Sequence, residues 1–194
     1  MIRVAVVDDH HAVRLGLQAA LGSEPGLIPV GAADGASELE PLLYRTDPDV
    51  VLLDYHLPGT DGLALCRRIK REVPAPGVVL YSAFADPSMT VPAIVAGADG
   101  IVHKGSPARN LFDAIRLVAR GGGSLPPLSE PLLEAAAQAL DPEDLPILGM
   151  LIDRTAPAEV AATLHIERAD LNRRIERMLG RLRVPVPGAA SPPG

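Results

Sequence analysis

Two adjacent carboxylates, Asp8 and Asp9, close the first apolar run of the chain, Ile2-Arg3-Val4-Ala5-Val6-Val7, and a third, Asp54, closes another, Val50-Val51-Leu52-Leu53. Like charges packed together repel, and a hard divalent ion such as Mg2+ relieves that repulsion through oxygen ligands. Ser82 ends a third apolar run (Val78-Val79-Leu80-Tyr81) and Lys104 follows a fourth (Ile101-Val102). The basic residues are 16 Arg against only 2 Lys, Lys70 and Lys104, so a lysine at this strand end is not a habit of composition. A flexible ammonium acts as a point charge on a phosphoryl oxygen, where a guanidinium fork is bulkier and fixed in shape. Three acids, a hydroxyl and an amine therefore suit phosphoryl chemistry around a cation.

For these residues to meet, their strands must lie side by side with their carboxyl ends together, as in a parallel α/β sheet. The pattern predicts strands near 2–8, 27–33, 50–54, 77–82 and 100–103, with helices near 11–21, 36–44, 62–72, 88–97 and 107–120. Five βα units imply a doubly wound α/β architecture with helices on both faces of the sheet. Pro107 has a first-turn placement in the last helix. Pro92 fits the fourth helix if that helix begins just before it. Residues 121–130 (Gly-Gly-Gly-Ser-Leu-Pro-Pro-Leu-Ser-Glu) read as a linker, and the Pro-, Gly- and Ala-rich stretch 185–194 as a disordered tail.

At this point the chain resembles the receiver domain of two-component response regulators. The residues that carry the resemblance are the acid pair in VVDDH, LLDYHLPGTDG around Asp54, the hydroxyl in LYSA and the lysine in GADGIVHKG, in the family's order over residues 1–120. The resemblance implies a flavodoxin-like five-stranded parallel sheet in the order 2-1-3-4-5. It implies that Asp54 accepts a phosphoryl group from a sensor histidine kinase. Asp9 and Asp54 would bind Mg2+ directly, Asp8 through water, and the backbone carbonyl of His56 would add a ligand; Lys104 and Ser82 would contact the phosphoryl oxygens. Where the family carries a switch aromatic three positions before the lysine, this chain has Ile101.

Neighbouring residues have plainer readings. Asp61 reads as a turn residue or cap of the third helix, His10 and His11 as the start of the first helix, and Cys66 as a small buried side chain. Phosphatases on a similar sheet use an acid two residues after the nucleophilic Asp, where this chain has His56. The chain is therefore expected to be a phosphoryl acceptor and a switch, and not an enzyme.

Residues 131–184 read as a small all-α bundle. Leu132 to Ala139 supply a first helix, and three amphipathic helices follow: Leu145, Ile147, Leu148, Leu151, Ile152; then Val160, Ala161, Leu164, Ile166; then Leu171, Ile175, Met178, Leu179, Leu182. Through LDPED, EVAATLHI and LNRRIERMLGRLRV this part resembles the four-helix helix-turn-helix domain of NarL/LuxR-type regulators. The DNA-facing surface departs from that family. Its hydroxyl caps are Ala156 and Glu167 here, its recognition-helix threonine is Asp170, and its lysine is Asn172; a lost cap typically costs ~1 kcal/mol. Six arginines against three acids still leave residues 167–183 at net +3. Arg168, Asn172, Arg173, Arg174 and Arg177 are the candidate DNA contacts. Pro146 is placed in a first turn if Asp144 caps the helix it opens.

Two functions follow from these observations. In one, phosphorylation controls a DNA-binding, homodimeric transcription regulator that reads two half-sites on double-stranded DNA. In the other, the helical part serves dimerisation or partner docking without DNA. The formal charge of −6 argues against indiscriminate nucleic-acid binding but averages over a local basic face. A single cysteine, no apolar stretch of the ~18 residues that a membrane span needs, and no signal-like start give the expectation of a cytoplasmic protein without a membrane partner.

Overall fold

The computed structural model describes residues 1–72, 74–83 and 85–182. Arg183, Val184 and the proposed tail 185–194 lie outside the described residues. The chain divides into two compact units, Met1–Leu128 and Ser129–Gly194.

In the first unit β1 (Ile2–Val7), β2 (Leu27–Ala33), β3 (Val50–Asp54), β6 (Gly77–Ser82) and β7 (Gly100–His103) form one sheet in the order β2-β1-β3-β6-β7. Every pairing is parallel. Counting only these five strands, this is the order 2-1-3-4-5 that the resemblance implies. The central strands are apolar on both faces because helices cover both: all five residues of β3 are buried. Pro29, which cannot donate to a ladder, sits on edge strand β2, and the register with β1 slips there, between Val4 and Ala5.

The connecting helices are α1 (His11–Ser23), α2 (Ala36–Thr46), α3 (Gly62–Ile69), α4 (Thr90–Ala96) and α5 (Ala108–Ala119). Leu17 and Leu21 of α1 and Leu111, Ile115 and Val118 of α5 pack on Val4, Val6, Val50, Leu52 and Val79 of the sheet. Helix α4 begins two residues before Pro92, after a 3-10 turn at Pro87–Met89, so the proline interrupts nothing. Pro107 takes the cap position of α5, one place earlier than its expected first-turn site.

Two features were not legible in the periodicity. A two-residue hairpin, β4 (His56–Leu57) with β5 (Thr60–Asp61), follows Asp54, turning at Pro58-Gly59, where Gly59 has φ +75°. Such a turn needs glycine at its second central position. The stretch 121–128 also belongs to the first unit and not to a free linker. Ser124 bridges Gly100, donates its N–H to the Asp99 carbonyl at 2.8 Å and accepts from Ile101 N–H at 3.0 Å. It thereby satisfies open groups at the edge of β7.

The second unit holds α6 (Glu130–Ala139), α7 (Leu145–Ile152), α8 (Pro157–Thr163) and α9 (Arg168–Leu182). Leu171, Ile175, Met178, Leu179 and Leu182 form the buried stripe of α9, and Ile147, Leu148 and Leu151 of α7 and Val160 and Ala161 of α8 are buried as well. Helices α8 and α9 are joined by a turn in which His165 takes the left-handed conformation, φ 53°. Ala156 stands at the cap of α8 with no side-chain hydrogen bond, the weakened cap expected there.

Candidate functional site

The loops after β1, β3, β6 and β7 converge at one end of the sheet. Asp8 and Asp54 are buried, 1% and 3% exposed. Lys104 Nζ lies between them, donating to Asp8 Oδ2 at 2.7 Å and to Asp54 Oδ2 at 2.8 Å. Their outer oxygens are held by backbone: His10 N–H donates to Asp8 Oδ1 at 2.8 Å and His56 N–H to Asp54 Oδ1 at 3.2 Å. The one ammonium thus faces two buried carboxylates.

Burial pushes the Asp54 carboxyl above its ordinary range and Asp8 adds to this, with Lys104 and the His56 amide opposing. For Lys104, burial alone would lower the ammonium pKa, but its bonds to Asp54 and Asp8 raise it on balance. Its Nζ stands 5.6 Å from the Tyr81 ring centroid, and the Tyr81 hydroxyl donates to the Lys104 carbonyl at 3.4 Å. Ser82 is fully buried at the end of β6, and its carbonyl accepts from Lys104 N–H at 2.8 Å. Ile101 is buried in β7, one strand position before Val102.

Gly62 sets how closely α3 approaches this end. A Cβ there would stand 2.5 Å from the Asp54 carbonyl oxygen and 2.7 Å from Tyr55 Cα, closer than any side chain tolerates. Its N–H instead donates to the Tyr55 carbonyl at 2.7 Å. Asp61 caps α3, accepting from Ala64 N–H at 2.6 Å, as its position before the helix predicts.

His10 and His11 stand at the start of α1, as read from sequence, and the His10 ring adds a contact. His10 caps α1 in position, and its Nδ1 lies 2.8 Å from Asp9 Oδ1 and 3.4 Å from Asp8 Oδ1. One ligand atom from each of Asp8, Asp9, His10 and Asp54 falls within 4.8 Å of the others. Adjacency to the acid pair was the signal for it. Asp9 Oδ1 is buried and accepts no aligned hydrogen bond among the described residues. Three carboxylates with an unsatisfied oxygen fit a hard, oxygen-seeking divalent ion. Cys66 is buried, its thiol pushed up to about 12 by desolvation, and belongs to the core.

The arginines of α9 are not equally placed. Asp144 stands at the cap position of α7, which puts Pro146 in the first turn, but its side chain makes no capping bond; it is buried and accepts from Arg177 Nη2 at 2.9 Å and Nε at 3.2 Å. Arg177 also reaches Glu143 at 2.9 Å, and Arg181 reaches Asp141 at 2.6 Å. Arg174 lies between Asp170, 3.1 Å from Nε, and Asp144, 3.7 Å from Nη1. Arg174 and Arg177, read from sequence as DNA contacts, therefore hold α9 to the turn before α7. A helical pattern cannot show this, because the acids come from an element some thirty residues away. Arg168 and Arg173 stay exposed, and Asn172 is half-buried.

Residues 4–116 match the response regulator receiver domain family. The chain is 30% identical to the transcriptional regulatory protein LiaR of Bacillus subtilis, over 95% of this chain and 92% of that protein. It is 29% identical to the DNA-binding transcriptional activator DevR/DosR of Mycobacterium tuberculosis, over 94% and 88%. A solved LuxR-family two-component response regulator from Aurantimonas sp. SI85-9A1 superposes with a TM-score of 0.61 at 30% identity, covering 71% of this chain and 96% of that one. With the acids and the lysine gathered at the strand ends, these likenesses make the chain a member of the response regulator family, a receiver followed by a helical unit of the LuxR kind.

Proposed function

We propose that Asp54 is the phosphoryl acceptor. Its carboxylate oxygen attacks the phosphorus of a phosphohistidine on a partner kinase; the P–N bond breaks, and its electrons and a proton end on the imidazole nitrogen. Asp9 and Asp54 would hold Mg2+, with Asp8 through water and the His56 carbonyl as a further ligand. The ion supplies neutralisation of charge on the transferring group. Lys104 exchanges its bond to Asp54 Oδ2 for one to a phosphoryl oxygen, and Ser82 donates its hydroxyl to another. A phosphoryl group adds roughly −1.5 to −2 charge and makes ~1–3 new charge-assisted hydrogen bonds, enough to bias the loops that carry these two residues. With Ile101 in place of an aromatic ring, that displacement runs through Ser82 and the segment leading to α4.

The output is control of transcription. Similarity over nearly the whole length to regulators such as LiaR and DevR/DosR favours DNA binding by the helical unit over a docking module. Helix α9 then enters the major groove, with Arg168, Asn172 and Arg173 as its contacts, in a homodimer on two half-sites. The protein acts as a switch and not as an enzyme, in the cytoplasm; among the described residues no helix is long and apolar enough to cross a membrane.

The observation that carries the reading is the buried Asp54 carboxylate paired to the Lys104 ammonium beside Asp8. Incubation with acetyl phosphate and Mg2+, read on a phosphate-affinity gel, is expected to shift the wild type and leave Asp54→Asn unshifted. A shifted Asp54→Asn protein would move the acceptor elsewhere.

A further inference from the structure

Asp170 is an acid near the start of α9, where a negative charge would repel DNA phosphate. In the structure its charge is met twice over: Oδ1 accepts from Arg173 Nη2 at 3.0 Å and Oδ2 from Arg174 Nε at 3.1 Å. Arg174 leads on to the buried Asp144. A continuous row, Asp144, Arg174, Asp170, Arg173, thus runs from the interior of the helical unit to its surface. Arg173 ends it, with 71% of its side chain exposed on the second turn of α9.

A guanidinium held at one nitrogen by a carboxylate has already lost part of its rotamer freedom, so ordering it on a ligand costs less. Its remaining N–H groups form the planar fork that matches O6 and N7 of guanine. The amino-terminal residues of a recognition helix are the ones that reach base edges. We propose that Arg173, braced by Asp170, reads a guanine in the major groove, so that each half-site carries a G·C pair at that place. This rests on the DNA-binding reading above and names the DNA. Asp170 is a positioning residue here, acting through Arg173.

Duplexes selected from a random pool by the full-length phosphorylated protein are titrated by fluorescence anisotropy against single base-pair variants, across a range of salt. Wild type is expected to lose roughly tenfold in affinity when the one G·C pair becomes A·T. Asp170→Ala and Arg173→Lys are both expected to erase that difference while leaving the salt dependence nearly unchanged, because neither removes a phosphate contact. Arg173→Lys keeps the charge and loses only the fork, at a position exposed on the helix surface. Asp170→Ala binding every duplex more tightly with its base preference intact would mean that the acid only repels DNA, and would overturn the proposal. Undiminished guanine preference in Arg173→Lys would overturn it as well. Wild type bound to no duplex at low salt would instead defeat the DNA-binding reading, and this inference with it.

Discussion

At the scale of single residues, the receiver site is a set of charges that the fold holds against their preference. Asp54 has its carboxyl pKa raised, so the folded protein disfavours the ionised form relative to the unfolded chain. The cost is absent below the ordinary carboxylate range and sets in as pH rises through it. Asp54→Asn is therefore expected to melt at a higher temperature than wild type at neutral pH in Mg2+-free buffer, by calorimetry; a lower Tm would contradict this. Lys104 has the opposite sign: its raised pKa contributes stability below 10.5 that is lost as pH climbs through the folded value. Lys104→Met leaves two buried carboxylates without their cation and is expected to cost roughly 3–5 kcal/mol by denaturant unfolding, with a part restored by Mg2+. The gathering of Asp8, Asp9, Asp54 and Lys104 was legible because each stands just past an apolar run, a pattern the parallel sheet forces. His10 was not, because a residue at a helix start looks the same whether or not its ring turns back to Asp9 at 2.8 Å.

The elements show which local rules hold the site and which the sequence conceals. Strand positions followed from uninterrupted apolar runs, since strands buried on both faces need them. The hairpin His56–Asp61 did not, because two-residue strands have no period to read. Gly62 sits where that hairpin meets α3, and a methyl group there collides with the Asp54 carbonyl oxygen. Gly62→Ala is expected to cost about 1–3 kcal/mol and to slow phosphorylation, as measured by unfolding and by the acetyl phosphate reaction. In the helical unit Asp144 takes the cap position of α7, as an acid before an apolar run suits, but its side chain makes no capping bond. Its buried position under Arg177 assigns it to packing instead. Arg177→Ala should lower the Tm of the helical unit while Arg173→Ala leaves it in place; equal effects would deny that the bond to the buried Asp144 sets Arg177 apart.

For the molecule as a whole, two units of different chemistry share one acidic chain. The net charge of −6 conceals a helix rich in arginine, and the structure ties Arg177 and Arg181 to acids before α7 while Arg173 pairs with Asp170 of its own helix. Hydrophobic spacing made both folds legible; the pairing of charges across α7 and α9 needed coordinates. Control of transcription depends on phosphorylation of the receiver, and so on which carboxylate takes the phosphate. The direct measurement is to phosphorylate the full-length protein with acetyl phosphate and Mg2+, reduce with borohydride, and map the product by mass spectrometry. Conversion of residue 54 alone to homoserine is the predicted result; conversion at Asp8, Asp9 or any other acid, with residue 54 unchanged, would contradict it.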